Sequence, residues 1–202
     1  RLVRASERAF DVLAWDKLAR ADYEPEAGAA ITLGFDGARF RDSVALVGTE
    51  IVTGYQWVVG LWEKPEGIEQ WEAPAPEILE TVAQAFERWN VARMYCDPPY
   101  WESSVADWAG QYGGKVVFEW WTNRSKVMAY ALRSFQSAIA SGDLSHSGDP
   151  RLRRHLGAAH KRFLLARDDD DKPLWNIYKE RADSPHKIDA AMAAVLAWEA
   201  RN

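Results

Sequence analysis

Three aspartates stand where carboxylates can do chemistry. Asp36 closes the apolar run Ile31-Thr-Leu-Gly-Phe35 and is followed by Gly37. Asp97 closes a second run, Val91-Ala-Arg-Met-Tyr-Cys96, and is followed by Pro98 and Pro99. Asp189 falls in the second turn of an expected helix. Carboxylates at the ends of neighbouring strands, met by a third from a packed helix, make the all-oxygen ligand set that Mg2+ or Mn2+ requires. Without cations they would repel and raise one another's pKa, so such a cluster makes physical sense with metal bound. Two ions about 3.5–4 Å apart can activate a water and stabilise the leaving oxygen of an in-line phosphoryl displacement. The plainer alternative is that each aspartate only ends a strand or caps a turn.

The elements that must position them follow from periodicity. Residues 1 to about 22 place Leu2, Ala5, Ala9, Phe10, Leu13, Ala14 and Leu18 near helical spacing and read as an amphipathic helix, followed by a linker to Gly28. From Ala30 the pattern turns extended. Ile31–Asp36, Ser43–Val47 and Ile51–Trp62 are expected strands in an antiparallel meander. A helix is expected over Pro76–Asn90, a strand over Val91–Cys96, a helix over Glu102–Tyr112, a strand over Val116–Trp121 and a helix over Ser125–Ser141 closed by Gly142. The proline pair must stop its strand at Asp97. Asp149 and Pro150 open a further helix through His160, Phe163–Arg167 and Leu174–Tyr178 form two strands around a polar turn, and Ser184 and Pro185 open a last helix through Glu199. The order describes a mixed α/β domain, and three leading strands followed by alternating elements match a ribonuclease H-like layout, a mixed sheet flanked by helices with an added β-hairpin near the C-terminus.

A chain of 202 residues that is 48% apolar can bury one large core. The reading is one domain over 30–202, preceded by a helix and connector over 1–29. A start at Arg1 rather than Met suggests an excised fragment with partner domains missing. The net charge of −5 does not favour a polyanion binder, but its distribution does. Between Lys115 and Arg167 stand ten Lys and Arg against three acids, so this stretch carries +7 and the remainder −12. That asymmetry suits one basic face for a polyanion and an acidic site for cations, although a solvated helix surface would look the same. Arg151, Arg153, Arg154, Lys161 and Arg162 are the candidate DNA contacts.

Other chemistries are poorly represented. The single Cys96 excludes an intramolecular disulfide and a thiolate metal cluster and suggests a reducing compartment. His146, His155, His160 and His186 include no i, i+4 pair, so no zinc site is expected. No serine sits in G-x-S-x-G. The eleven tryptophans fall mainly on apolar stripes and read as core rather than as a sugar-binding surface. Asp168 to Lys172 reads as a charged hairpin tip. Gly113-Gly-Lys115 is not a phosphate loop, because Ala109 and Val116 stand where Gly and Ser or Thr are needed, so no ATP hydrolysis is expected. No apolar run nears the roughly 18 residues that cross a bilayer, and no membrane partner is expected.

Three strings resemble the acidic motifs of the nuclease domain of phage terminase large subunits: Gly34-Phe-Asp-Gly37 with Arg39-Phe-Arg-Asp-Ser43, then Tyr95-Cys-Asp-Pro-Pro-Tyr-Trp101, then His186-Lys-Ile-Asp-Ala-Ala-Met-Ala193. Leu152-Arg-Arg-His-Leu-Gly-Ala-Ala159 is similar to a segment before that family's hairpin, but lacks the Asn expected near Ala158. The resemblance spans about residues 30 to 200. It implies a ribonuclease H-like fold and an endonuclease that cuts concatemeric double-stranded viral DNA during packaging, with two Mg2+ or Mn2+ ions. Carried over by motif, Asp36, Asp97 and Asp189 are its metal ligands, with Asp42 and Asp183 as auxiliary carboxylates. It also implies an ATPase domain ahead of this segment, a small terminase subunit and a portal as partners, and the host cytoplasm as location. A junction resolvase or transposase would use the same carboxylates on another DNA shape, and a portal or capsid docking module would carry the acidic cluster as surface charge alone.

Overall fold

The computed structural model describes residues 7–181 and 184–202. A short helix α1 (Val12–Asp16) precedes three strands, β1 (Ala30–Gly37), β2 (Ser43–Glu50) and β3 (Tyr55–Glu63). Helix α2 (Ala75–Arg88), strand β4 (Asn90–Cys96), helix α3 (Glu102–Tyr112), strand β5 (Val117–Glu119) and helix α4 (Ser125–Ser141) follow. Then come β6 (Ser145–His146), α5 (Pro150–Ala158), the strands β7 (Ala159–Arg167) and β8 (Pro173–Lys179), and α6 (Asp189–Arg201).

Six strands form one sheet in the order β5-β4-β1-β2-β3-β6, while β7 and β8 make a separate antiparallel hairpin. β1, β2 and β3 are the expected antiparallel meander, and β4 lies parallel to β1 with Phe35 opposite Cys96. Period-two alternation sorts the side chains between two faces. Ile31, Leu33, Phe35, Val44 and Leu46 meet α2 and α3 through Ile78, Val82, Trp101, Val105 and Trp108. Ala45 and Val47 meet α4, α5 and α6 on the opposite face. Burying each large apolar side chain there contributes about 1.5–3 kcal/mol. This is the ribonuclease H-like layout of the sequence reading.

α6 crosses the middle of the sheet almost without side chains between. Six of its alanines are buried, and a Cβ built on Gly34 would fall 2.0 Å from the Ala193 carbonyl oxygen. Only glycine admits that approach. Thr32 Oγ donates to the Ala197 carbonyl at 2.6 Å, and the Gln56 side-chain amide donates to the Ala194 carbonyl at 2.9 Å. Both bonds attach the helix to the strands beneath it.

Two helix expectations are corrected. The amphipathic pattern over residues 1 to 22 yields only the single turn of α1, with residues 1–6 outside the described set. Bridges from Arg8 to His160 and from Ala19 to His146 draw the flanking backbone into extended pairing, while Ala9, Phe10 and Trp15 sink into the α4 and α5 core. At the other end, α6 starts at Asp189 rather than at Ser184, so Asp189 is the first residue of the helix and not in its second turn. The Ser184 hydroxyl instead accepts the His186 N–H in a preceding turn. α5 ends at Ala158, and β7 takes up the chain at once. Gly142 closes α4 in the left-handed conformation and Asp149 caps α5, both as expected. None of the tryptophans is exposed, so they supply no sugar-binding platform. No helix among the described residues is long and apolar enough to cross a membrane.

Candidate active site

The parallel pairing of β1 and β4 brings the first two aspartates side by side. The Asp97 N–H donates to the Phe35 carbonyl at 3.0 Å, so Asp97 lies directly beyond the end of β4, beside Asp36, before Pro98 and Pro99 turn the chain away. Asp36 points to the α6 face because its neighbour Phe35 is committed to the opposite core. Helix α6, seated on Gly34, delivers Asp189 to the same place from above. The three carboxylates of the sequence reading thus meet. Asp36 and Asp97 share a hydrogen bond, and both Asp97 and Asp189 act electrostatically on Asp36.

Each carboxylate is held by neighbours. Asp97 accepts the Thr122 N–H at 3.2 Å and the Thr122 hydroxyl at 2.8 Å. Asp189 accepts the hydroxyl of Ser43. Asp36 is 8% exposed and forms no ion pair among the described residues. Burial, then the charges of Asp189 and Asp97, push its carboxyl well above the usual carboxylate range. Burial also raises Asp97 against the pull of Thr122, and raises Asp189 to about 6 against the pull of Ser43. Protons and hydroxyls therefore satisfy the cluster in the metal-free state. Among the described residues, no group of three or more His, Cys, Asp or Glu side chains is arranged as a ready-made ion site. The same oxygens, turned off these protein donors, are the hard ligands that a divalent cation prefers.

Asp42, just before β2, is ion-paired with Lys179 at the end of β8 and contributes to the raised carboxyl of Asp189. Lys187 donates to the Lys64 carbonyl at 2.8 Å within the fields of Glu63, Asp42 and Asp189. Asp183 lies outside the described residues. Beside the site opens a cleft of about 890 Å³ whose lining includes Phe40, Arg41, Asp42, Glu63, Arg154 and Lys187.

The basic stretch is largely engaged. Arg151 pairs with Asp149 at 2.7 Å, Arg153 with Asp16 at 2.6 Å, Arg154 with Glu63 at 2.8 Å and Lys161 with Glu7 at 3.5 Å. Arg162 is exposed and forms no ion pair among the described residues.

The sequence reading passed over a second polar group. His155 is fully buried; its Nε2 lies 2.7 Å from Glu63 Oε1, and its Nδ1 accepts the Ala190 N–H at 3.0 Å. Burial lowers its pKa to about 4 despite Glu63, so the ring is neutral at physiological pH. Weighed only as a zinc ligand, His155 was discounted, although the 152–159 segment that carries it stood out. His146, by contrast, is a core residue, stacked on Trp15 at 3.8 Å.

No protein-family model matches the chain. Its sequence is 32% identical over 186 residues to the gene 13 protein of Mycobacterium phage D29, covering 87% of this chain and 30% of that protein. The gene 13 protein of Mycobacterium phage L5 is 30% identical over 196 residues, with 92% and 32% covered. The chain thus spans about a third of these relatives. Among solved structures, the large terminase of bacteriophage HK97 aligns with a TM-score of 0.70 at 14% identity, over 96% of this chain and 43% of that one. The large terminase nuclease of thermophilic phage G20c aligns at 0.65 with 13% identity, over 96% and 98%. The G20c nuclease is also known with bound magnesium and with bound cobalt. With three aspartates gathered on a ribonuclease H-like sheet, the chain has the fold of phage large-terminase nuclease domains and is related in sequence to a segment of the mycobacteriophage gene 13 proteins.

Proposed function

We propose that this chain is a divalent-metal-dependent endonuclease that cuts concatemeric double-stranded viral DNA during genome packaging. The observation that carries the reading is the meeting of Asp36, Asp97 and Asp189 in one buried cluster where no cation of the described chain pairs with Asp36. Three adjoining carboxylates that repel one another are a poor device for stability and a good one for holding Mg2+ or Mn2+. Asp36, Asp97 and Asp189 would hold the metal, two ions being the expected complement, with Asp42 at the outer edge once released from Lys179. Bound there, divalent ions supply an activated water and stabilise charge on the phosphate in transit. Thr122 and Ser43 aim Asp97 and Asp189, and the rigid β1, β4 and α6 hold the oxygens in place while duplex DNA lies along the adjoining cleft.

The duplex would be steered by Arg41 and Arg162, and by members of the 151–161 stretch that can exchange an acidic partner for a phosphate. The 43% coverage of the HK97 protein supports a further ATPase domain in the whole protein, joined through residues 1–29. A small terminase subunit and a portal would be the other partners, in the host cytoplasm.

The test is cleavage of linear duplex, supercoiled plasmid and four-way junction DNA with Mg2+, Mn2+, Ca2+ or EDTA. Cleavage of duplex with Mg2+ or Mn2+ only, lost in Asp36→Asn, Asp97→Asn and Asp189→Asn, is expected. Ca2+ takes a looser geometry and should not support it. Full activity in EDTA would falsify the reading, and a strong preference for junctions would transfer it to a resolvase.

A further inference from the structure

We propose that His155 is a positioning residue for Asp189: from α5 its Nδ1 caps the first turn of α6 and so fixes the direction from which that carboxylate enters the acidic site. The inference rests on the reading of Asp189 as a metal ligand. Helices leave their first N–H groups without intrahelical partners, and a Ser, Thr, Asp or Asn just before the first turn ordinarily supplies one. α6 has Ile188 there, which offers no side-chain acceptor. The acceptor instead comes from 35 residues away, where His155 Nδ1 takes the Ala190 N–H at 3.0 Å.

That bond determines the rest of the arrangement. An Nδ1 that accepts carries no proton, so the ring proton sits on Nε2 and is donated to Glu63 Oε1 at 2.7 Å. Glu63, the last residue of β3, is held in turn by Arg154, whose guanidinium lies 2.8 Å from both carboxylate oxygens. The imidazole is 0% exposed, so no water can replace either bond. β3, α5 and α6 are thus joined through one ring immediately behind Asp189. Sliding α6 by a single residue would rotate Asp189 by about 100° about the helix axis. It would also leave the Ala190 N–H and His155 Nδ1 buried without partners, a costly state. The hydroxyl of Ser43 then selects the Asp189 rotamer from the front. Backbone position comes from His155 and side-chain direction from Ser43.

Two nearly isosteric variants separate the two bonds of the ring. His155→Asn keeps an acceptor near the place of Nδ1 and loses the donor to Glu63; His155→Gln keeps a donor near Nε2 and loses the acceptor for Ala190. Mn2+ affinity of the folded chain, read by titration calorimetry, should fall about tenfold or more in His155→Gln and stay within about threefold of the parent in His155→Asn, the range set by partners behind metal ligands. Amide hydrogen exchange at Ala190 should accelerate in His155→Gln alone. Parent-like Mn2+ affinity in His155→Gln, or equal losses in both variants, would overturn the proposal. Failure of the parent to bind Mn2+ would refute the reading of Asp189 as a ligand, while exchange at Ala190 would still report whether His155 caps the helix. Should His155→Gln not fold, 15N spectra of the parent decide the matter: the Nε2–H tautomer with Nδ1 hydrogen-bonded supports the cap, and an Nδ1–H tautomer overturns it.

Discussion

Asp189→Asn should make the metal-free protein more stable at pH 8 and leave it little changed near pH 4. The Asp189 carboxyl is raised from 3.8 to about 6, first by burial, and asparagine matches its size while still offering an oxygen to the Ser43 hydroxyl. A rise of that size corresponds to on the order of 3 kcal/mol between the protonated and charged forms. Because the folded-state value lies above the unfolded one, the stabilisation belongs to the protonated form. It is fully present below about pH 4 and is lost as the pH climbs through about 6. Asparagine has no proton to lose, so the advantage of the variant opens between these limits and persists above them. Lys179 already offsets part of the charge, so a gain of about 1–3 kcal/mol is expected, or roughly 3–10 °C in melting temperature for a chain of this length. The assay is thermal melting in EDTA from pH 4 to pH 8, repeated with Mn2+. With metal the order reverses, since a ligand at a hundred times its Kd adds about 2.7 kcal/mol to the parent and less to a variant lacking one carboxylate. A variant that melts below the parent at pH 8 in EDTA, or whose gain is the same at every pH, would refute the reasoning.

Three further outcomes are expected. Gly34→Ala should cost about 1–3 kcal/mol or more, because its Cβ meets backbone atoms of Ala193 and Ala197 that cannot turn aside, and it should also blunt the Mn2+ response; a parent-like melt would show that α6 does not rest on β1 so closely. Lys179→Met removes the cation from Asp42 while keeping the apolar stem, so Mn2+ titration should show tighter binding and metal-free melting at pH 8 a loss; an unchanged Mn2+ affinity would remove Asp42 from the site. Arg41→Gln and Arg162→Gln should each flatten the salt dependence of duplex binding by about one in slope, whereas Arg153→Gln, whose charge is spent on Asp16, should mainly lower stability; the reverse pattern would move the duplex to the α5 face.

The parts of the site legible from sequence are those whose signals are local. Two apolar runs ending in Asp, one of them blocked by prolines, suffice to place Asp36 and Asp97 at strand ends. Capping and turn residues likewise place Gly142 and Asp149 correctly. What escaped depends on residues far apart in the chain. The 1–22 pattern is helical in period, but pairing with His146 and His160 is decided by tertiary contacts. The start of α6 was misplaced because its cap is His155, on another helix, and no rule about sequence neighbours can find it. The basic stretch read as a free polycation since Asp16, Glu63 and Glu7 lie 137, 91 and 154 residues from their partners. Lys179, called only a hairpin residue by its pattern, reaches Asp42 across 137 residues.

The helix that completes the site lies far downstream of the strands it covers: Thr32 and Ala197, which are hydrogen-bonded, are separated by 165 residues, and Ser43 and Asp189 by 146. At a synthesis rate of about 5–20 residues per second, β1 and β2 leave the ribosome roughly ten to thirty seconds before α6 can settle on them. Throughout that interval the groove at Gly34 stands open and the acidic cluster is one carboxylate short. The order of translation therefore acts as a safety catch, since a chain still being made cannot assemble its third ligand beside the nucleic acids that are making it.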